Sequence, residues 1–194
     1  MRVKICGITT VEDALLAESA GADAIGVVLF SGGVSRRDVT MDRAREIFDA
    51  VGPFIATVAV THTRSLDDIS EMLELCPSAI QVSHPFSFSK EMDTRVIRVI
   101  GRAEPLPDDC DAVIVDESHG KGRHYDPAYA RDVIRRSNVP VILAGGLNPG
   151  NVKPAIEELQ PYAVDVASGV ESAPGIKDPD LVRNFIRAAK ECEE

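Results

Sequence analysis

Val141-Ile142-Leu143-Ala144-Gly145-Gly146 and, roughly twenty residues on, Ala163-Val164-Asp165-Val166-Ala167-Ser168-Gly169 each read as a short apolar strand running into a glycine turn. Between them Val152 to Leu159 carries one apolar stripe at helical spacing, so the three pieces form a βαβ unit. Working outward, the same rhythm predicts strands over Val3 to Cys6, Ala24 to Leu29, Phe54 to Val60, Ala79 to Val82, Arg95 to Ile100 and Ala112 to Val115. Helices are expected over Val11 to Ser19, Met41 to Ala50, Ser65 to Leu75, Pro127 to Arg136 and Asp180 to Cys192. Thr10, Thr40 and Ser65, each followed by acidic residues, are the start signals.

Eight strands in a βα rhythm point to one compact (β/α)8 barrel of the TIM type over residues 1–194. Such barrels usually need about 250 residues, so a chain this short has to be trimmed. The expected losses are a short fourth helix, near Phe88 to Asp93, and a degraded fifth, because Pro105 and Pro107 break Gly101 to Asp111. A doubly wound open sheet is the competing fold. The barrel is preferred because both glycine turns follow the seventh and eighth strands, where barrels build phosphate sites.

A formal charge of −10 disfavours nucleic acid and anionic membranes as partners. The four cysteines, Cys6, Cys76, Cys110 and Cys192, are scattered without a C-x-x-C pair, which fits free thiols in a reducing, cytoplasmic setting. With no leader-like or membrane-spanning run, a soluble protein is expected.

Strand ends at the carboxyl side of a barrel face its active mouth, which nominates Cys6, Gln81, Arg98, Asp116 and Asp165. Alternation puts Lys4 on the same face as Cys6, one layer deeper, where a cation raises the thiolate fraction. A lone cysteine is usually a small hydrophobe, but Cys6 sits at a strand end before Gly7, which favours a base or nucleophile. Asp116 reads equally as an acid held by the loop Glu117 to Tyr125 or as a cap. Asp165, between two valines, needs a partner. Gly145-Gly146 and Ser168-Gly169 offer backbone N–H groups, which bind phosphate without lysine or arginine. In the loop after the second strand, beside Ser31-Gly32-Gly33, Ser35-Arg36-Arg37 supplies guanidinium groups that are either solvated or able to grip a carboxylate. Gly120-Lys121-Gly122-Arg123 reads as a basic loop that either closes over an anion or is solvated. His62, His84, His119 and His124 follow strand ends, yet none forms an i, i+4 ligand pair, so no metal site is expected.

Lys4-Ile5-Cys6-Gly7-Ile8-Thr9, Glu12-Asp13-Ala14 and Gly21-Ala22-Asp23-Ala24, together with Gly145-Gly146-Leu147-Asn148-Pro149 and Ser168-Gly169-Val170-Glu171, resemble the phosphoribosylanthranilate isomerase family of tryptophan biosynthesis over essentially the full chain. The resemblance implies a (β/α)8 barrel. It also implies a cofactor-free Amadori rearrangement of N-(5-phosphoribosyl)anthranilate to 1-(2-carboxyphenylamino)-1-deoxyribulose 5-phosphate. Cys6 then matches the general base at C2, Asp116 the general acid at the ring oxygen, and Arg37, with Arg36 adjacent, the group that meets the anthranilate carboxylate. Gln81 and Asp165 are expected at the substrate, and Gly145, Gly146, Ser168 and Gly169 at its phosphate. The partner is a small phosphosugar, bound by a monomer or homodimer. Two stretches depart from the family pattern, Ile80-Gln81-Val82-Ser83-His84 and Val60-Thr61-His62. The rival readings are the related histidine-pathway isomerase, which is expected to carry a carboxylate in place of Cys6, and a non-catalytic phosphate-binding barrel.

Overall fold

Strands β1 (Arg2–Cys6), β2 (Ala24–Leu29), β3 (Ala56–Thr61), β4 (Ala79–Val82), β5 (Arg95–Ile100), β6 (Ala112–Val115), β7 (Val141–Leu143) and β8 (Ala163–Val166) pair in parallel, in chain order, and close into a barrel. The computed structural model describes residues 1–88, 92–102, 104–116 and 125–191. Closure is made by β1 against β8, with Lys4 opposite Asp165, and it excludes the open doubly wound sheet.

The strands are Val- and Ile-rich because both of their faces are buried. Alternation sends Val28, Val58, Val60, Ile97, Val99, Ile114 and Ile142 into the barrel. Val27, Ala59, Val96, Val113 and Val164 face outward into a second core beneath the helices. These helices are α1 (Val11–Ser19), α2 (Met41–Ala50), α3 (Leu66–Leu73), α4 (Pro127–Arg136), α5 (Val152–Leu159) and α6 (Pro179–Lys190). Thr10, Thr40 and Ser65 accept from the N–H of Asp13, Arg43 and Asp68, the capping bonds their positions predicted. α6 starts earlier than expected, because Asp178 caps it and Pro179 fits the first turn, where no N–H is needed.

β3 begins two residues later than its apolar run, and Phe54 is 99% exposed. Its pairing with β2 starts at Ala24 opposite Ala56, so residues upstream have no ladder to join. Among the described residues no helix follows β4 or β5. The short helix expected over Phe88 to Asp93 falls partly on residues 89–91, outside the described residues, and Phe88, Met92 and Asp93 are not helical.

Arg98 explains how the barrel wall closes there, and it corrects an expectation. Ile97 and Val99 point inward, so Arg98 between them points away from the mouth. Its guanidinium donates to the carbonyls of His84 (2.9 Å) and Phe86 and to Asp109 (2.8 Å), and lies over the Phe88 ring. One buried cation thus ties the β4–β5 loop to the β5–β6 loop where two helices would otherwise pack.

The chain after β8 forms a short antiparallel hairpin that the alternation did not reveal, β9 (Glu171–Ala173) and β10 (Ile176–Lys177). Its signal was Pro174-Gly175, a turn-forming pair, with Gly175 at φ +82°. Thr9 Oγ1 donates to the Gly175 carbonyl (2.6 Å) and the Lys177 N–H to Asp13 (3.2 Å), so the hairpin is docked on the β1–α1 connection.

Candidate active site

At the carboxyl ends of β6, β7 and β8 one cavity is lined by Asp116, Gly145, Gly146, Asp165, Ser168 and Gly169, together with Ala144, Leu147, Val166 and Ala167. The glycines are there for distinct reasons. Gly145 and Gly146 hold φ +94° and +66°, a region that side chains disfavour. Gly169 has ordinary backbone angles, but a Cβ there would lie 1.9 Å from the Leu147 carbonyl oxygen, so the two turns touch backbone to backbone. Asn151 staples the first turn, accepting from the Asn148 N–H (2.7 Å) and donating to the Gly146 carbonyl (2.9 Å). The N–H groups of Gly145 and Gly146 donate to no group among the described residues, which leaves two donors for an anion. Ser168 opens a three-residue 3₁₀ turn, Ser168–Val170, rather than a full helix.

Cys6, Lys4, Gly26 and Asp165 meet along the β8–β1–β2 seam, brought together by strand period and register. Lys4 lies opposite Asp165 and Cys6 opposite Gly26. Lys4 Nζ donates to Asp165 at 2.7 Å, both side chains being buried. Asp165 therefore has the partner its position demands, and it turns one oxygen to Lys4 while the residue lines the cavity. A Cβ on Gly26 would come within 2.9 Å of Cys6 Sγ and 3.1 Å of Lys4 Nζ, so this glycine makes room for the thiol and the cation side by side. Glycine inside a strand marks such close approach, a signal left unused in the sequence reading. Burial opposes the Lys4 charge, but Asp165 and Cys6 outweigh it and hold its pKa above an ordinary lysine's. Burial pushes the Cys6 thiol up, and the pull of Lys4 does not offset this. Lys4 thus favours the thiolate, as its place in the alternation implied, but burial outweighs it and the net shift is upward.

Gln81 faces inward, buried, and its Oε1 has no hydrogen-bond partner among the described residues. An unmet buried carbonyl costs about 1–3 kcal/mol, so it is a place where a ligand donor is favoured. Asp116 follows β6, half-buried, with its N–H on the Ile100 carbonyl (3.4 Å). The loop expected to hold it, apart from Tyr125, and the basic segment Gly120 to Arg123 lie outside the described residues, as do His119, His124 and Cys192. His62 Nδ1 lies 3.2 Å from Ser83 Oγ, and the His84 ring packs edge-on to Phe86.

Of the paired arginines, Arg36 is exposed and Arg37 turns inward. The loop that carries them is held, not loose. Ser31 is buried and bonds Asp38 (2.6 Å), Ser35 N–H donates to Ser31, and Arg37 N–H donates to Ser35. Arg37 crosses the end of β1, its Cδ 2.3 Å from where a Gly7 Cβ would stand. There Nε and Nη2 each donate to Glu171 at 2.7 Å. Lys177, fully buried, completes the group with Nζ on Glu171 (2.9 Å), the Cys6 carbonyl (2.7 Å) and the Ala167 carbonyl (3.3 Å). Burial raises the Glu171 carboxyl, but Arg37 and Lys177 together bring it below its usual value. Burial lowers Lys177, with Glu171 pulling back.

The family model for N-(5'-phosphoribosyl)anthranilate (PRA) isomerase matches residues 3–188. The chain belongs to this family. It is 60% identical over 193 residues to N-(5'-phosphoribosyl)anthranilate isomerase of Methanoregula boonei, covering 100% of this chain and 98% of that one. Phosphoribosyl anthranilate isomerase from Thermus thermophilus superposes with a TM-score of 0.86 at 34% identity, covering 98% of this chain and 99% of that one. A phosphoribosyl anthranilate isomerase in complex with reduced 1-(o-carboxyphenylamino)-1-deoxyribulose 5-phosphate superposes with a TM-score of 0.83 at 32% identity, covering 98% and 99%. Within this chain, the residues that sequence reasoning gave no role are Gly26, Asn151, Glu171 and Lys177. Only Gly26, a glycine inside an apolar strand, and Glu171, which follows the second glycine turn, carried any mark.

Proposed function

We propose that this chain isomerises N-(5'-phosphoribosyl)anthranilate to 1-(2-carboxyphenylamino)-1-deoxyribulose 5-phosphate within a single (β/α)8 domain, using Asp116 as general acid and Cys6 as general base. The reaction needs both. Asp116 gives its proton to the furanose ring oxygen as the C1–O bond breaks, and the amine lone pair forms the C1=N bond of an open-chain Schiff base. That cation makes the C2 proton acidic enough for the Cys6 thiolate to remove, leaving an aminoenol. Protonation at C1 and loss of the C2 hydroxyl proton give the amino-ketose.

The observation that carries this reading is the shared cavity, in which Asp116 faces both glycine turns. A phosphate held by Gly145, Gly146, Ser168 and Gly169 fixes the sugar ring against the acid. A thiol whose pKa is raised by burial is a sparse but strong base once ionised, and the positive Schiff base favours that ionisation. The unpartnered Gln81 oxygen supports a contact with a sugar hydroxyl. The inward Arg37 supports one with the anthranilate carboxylate, for which a guanidinium fork is suited.

The chain works in the cytoplasm on a small phosphosugar, as monomer or homodimer, without nucleic acid or membrane. The net charge of −10 supports this, as does the lack, among the described residues, of a helix long and apolar enough to cross a membrane. Purified protein is assayed on phosphoribosylanthranilate. Cys6→Ala and Asp116→Asn each lower kcat by about 10²- to 10⁴-fold. Full turnover by either variant removes the role assigned to that residue.

A further inference from the structure

The Arg37–Glu171–Lys177 group has no role in the proton transfers, yet it is among the most buried charged assemblies in the molecule. Glu171 and Lys177 face each other across the hairpin, Lys177 opposite Glu171 in register. A guanidinium has two edges able to bind a carboxylate in bidentate fashion. Glu171 takes the Nε and Nη2 edge, both bonds 2.7 Å. Among the described residues nothing takes the second edge, Nη1 with the other Nη2 hydrogen, which leaves it for a second carboxylate.

We propose that Glu171 and Lys177 are positioning residues that hold Arg37 with its second guanidinium edge presented to the substrate's aromatic carboxylate beside Cys6. The proposal rests on the reading that Arg37 meets that carboxylate. Without a fixed partner an arginine on a serine- and glycine-rich loop samples many rotamers, and ordering it on binding is unfavourable. Glu171 does the ordering in advance, and Lys177 sets where Glu171 stands. Because Lys177 also grips the carbonyls of Cys6 and Ala167, one ammonium fixes Arg37 relative to the base and to the end of β8, which leads into the second glycine turn.

The test compares phosphoribosylanthranilate with the phosphoribosyl derivative of aniline, which lacks the carboxylate, on the native chain, Arg37→Ala and Glu171→Gln. The native chain favours the carboxylated substrate in kcat/KM. Glu171→Gln keeps the shape but removes the charged fork, and it lowers that preference by about 10- to 100-fold, mainly through KM. Turnover of the aniline substrate falls by less. A purely structural role for Glu171 lowers both substrates alike, and that result overturns the proposal. Loss of the preference in Arg37→Ala with its retention in Glu171→Gln also overturns it, while leaving the Arg37 reading intact. An unchanged preference in Arg37→Ala overturns the Arg37 reading itself, and the positioning proposal with it. Should Glu171→Gln fail to fold, the same ratio is read from Glu171→Asp, which keeps the charge but draws it back by one methylene. An unchanged ratio there counts against the proposal equally.

Discussion

Gly169→Ala is the sharpest test of how the proposed phosphate cavity is built. The added Cβ stands 1.9 Å from the Leu147 carbonyl oxygen and 2.9 Å from its carbon, whereas real Cβ atoms essentially never come within 3.0 Å of a neighbour. The two glycine turns must therefore part by about 1 Å or more, and both contact atoms are backbone, so no side chain can swing aside. Overpacking of this kind costs about 1–3 kcal/mol, and each kcal/mol lowers Tm by roughly 2–4 °C in a chain of this size. A displacement of about 1 Å between groups that hold one phosphate also costs up to about 10²-fold in kcat/KM.

Gly150→Ala is the matched control on the same stretch. Its added Cβ meets only the Asn148 Oδ1 atom, at 3.2 Å, and its backbone angles suit any residue. The change is expected to stay within about 0.5 kcal/mol. Thermal melts, steady-state kinetics and calorimetric titration with inorganic phosphate are run on both variants. Loss of phosphate affinity in Gly169→Ala alone is the expected outcome. Equal behaviour of the two, or a Gly169→Ala chain with native affinity, refutes the claim that backbone contact between the turns shapes the site.

Lys4→Met removes the cation nearest Cys6, so the thiol pKa, already raised, climbs further. The alkaline rise of kcat/KM and of iodoacetamide alkylation then moves to higher pH, and a shift to lower pH refutes the assignment. Glu171 has a folded pKa below its ordinary 4.5, so its stabilisation is complete above about that pH and is lost as pH falls through the folded value. The difference in urea midpoint between native and Glu171→Gln chains should narrow on acidification below pH 4.5, and a constant difference contradicts the ion-pair reading. Added sodium chloride should leave kcat/KM unchanged or raise it, because it screens the repulsion between an anionic substrate and a chain of net charge −10. A steep fall with salt would point to capture by exposed lysines and arginines instead.

The barrel was legible because β-strands buried on both faces write their position directly as apolar runs, and β2, β4, β5, β6 and β8 have the limits those runs predict. Strand parity carried Cys6, Gln81 and Asp165 to the interior correctly. It should have excluded Arg98, which falls between inward Ile97 and Val99, but there the polarity of arginine outweighed its place in the alternation. Phe54 shows the reverse failure, an apolar residue assigned to a strand that has no partner at that point. Partnerships across the chain were beyond reach. Lys4 with Asp165 is a contact over 161 positions and Arg37 with Glu171 over 134, and nothing local in either residue names the other. The net Cys6 shift was out of reach for the same reason. Lys4 was visible in sequence, but the carboxylate that shares it and the burial that outweighs it appear only once β8 closes against β1.

The charge of the whole and the charge around Cys6 have opposite sense. An acidic surface repels a phosphorylated, carboxylated ligand at long range, yet Lys4, Arg37 and Lys177 stand around Cys6 with, among the described residues, Asp165 and Glu171 paired to them. Buried cations are little screened and cannot be recruited by solvent ions, so they act at contact distance where the surface field no longer matters. Each is also costly to bury alone, which explains why each carries a carboxylate partner. Those carboxylates are what would leave a phosphate to the backbone, since the N–H groups of Gly145 and Gly146 add attraction without adding another charge to bury. On this argument the division between glycine turns as the proposed phosphate site and paired cations around the proposed base follows from the desolvation penalty. A third lysine in the cavity, without a carboxylate partner, would raise affinity for the anion while depressing the thiol pKa, and with it the strength of the base proposed to take the C2 proton.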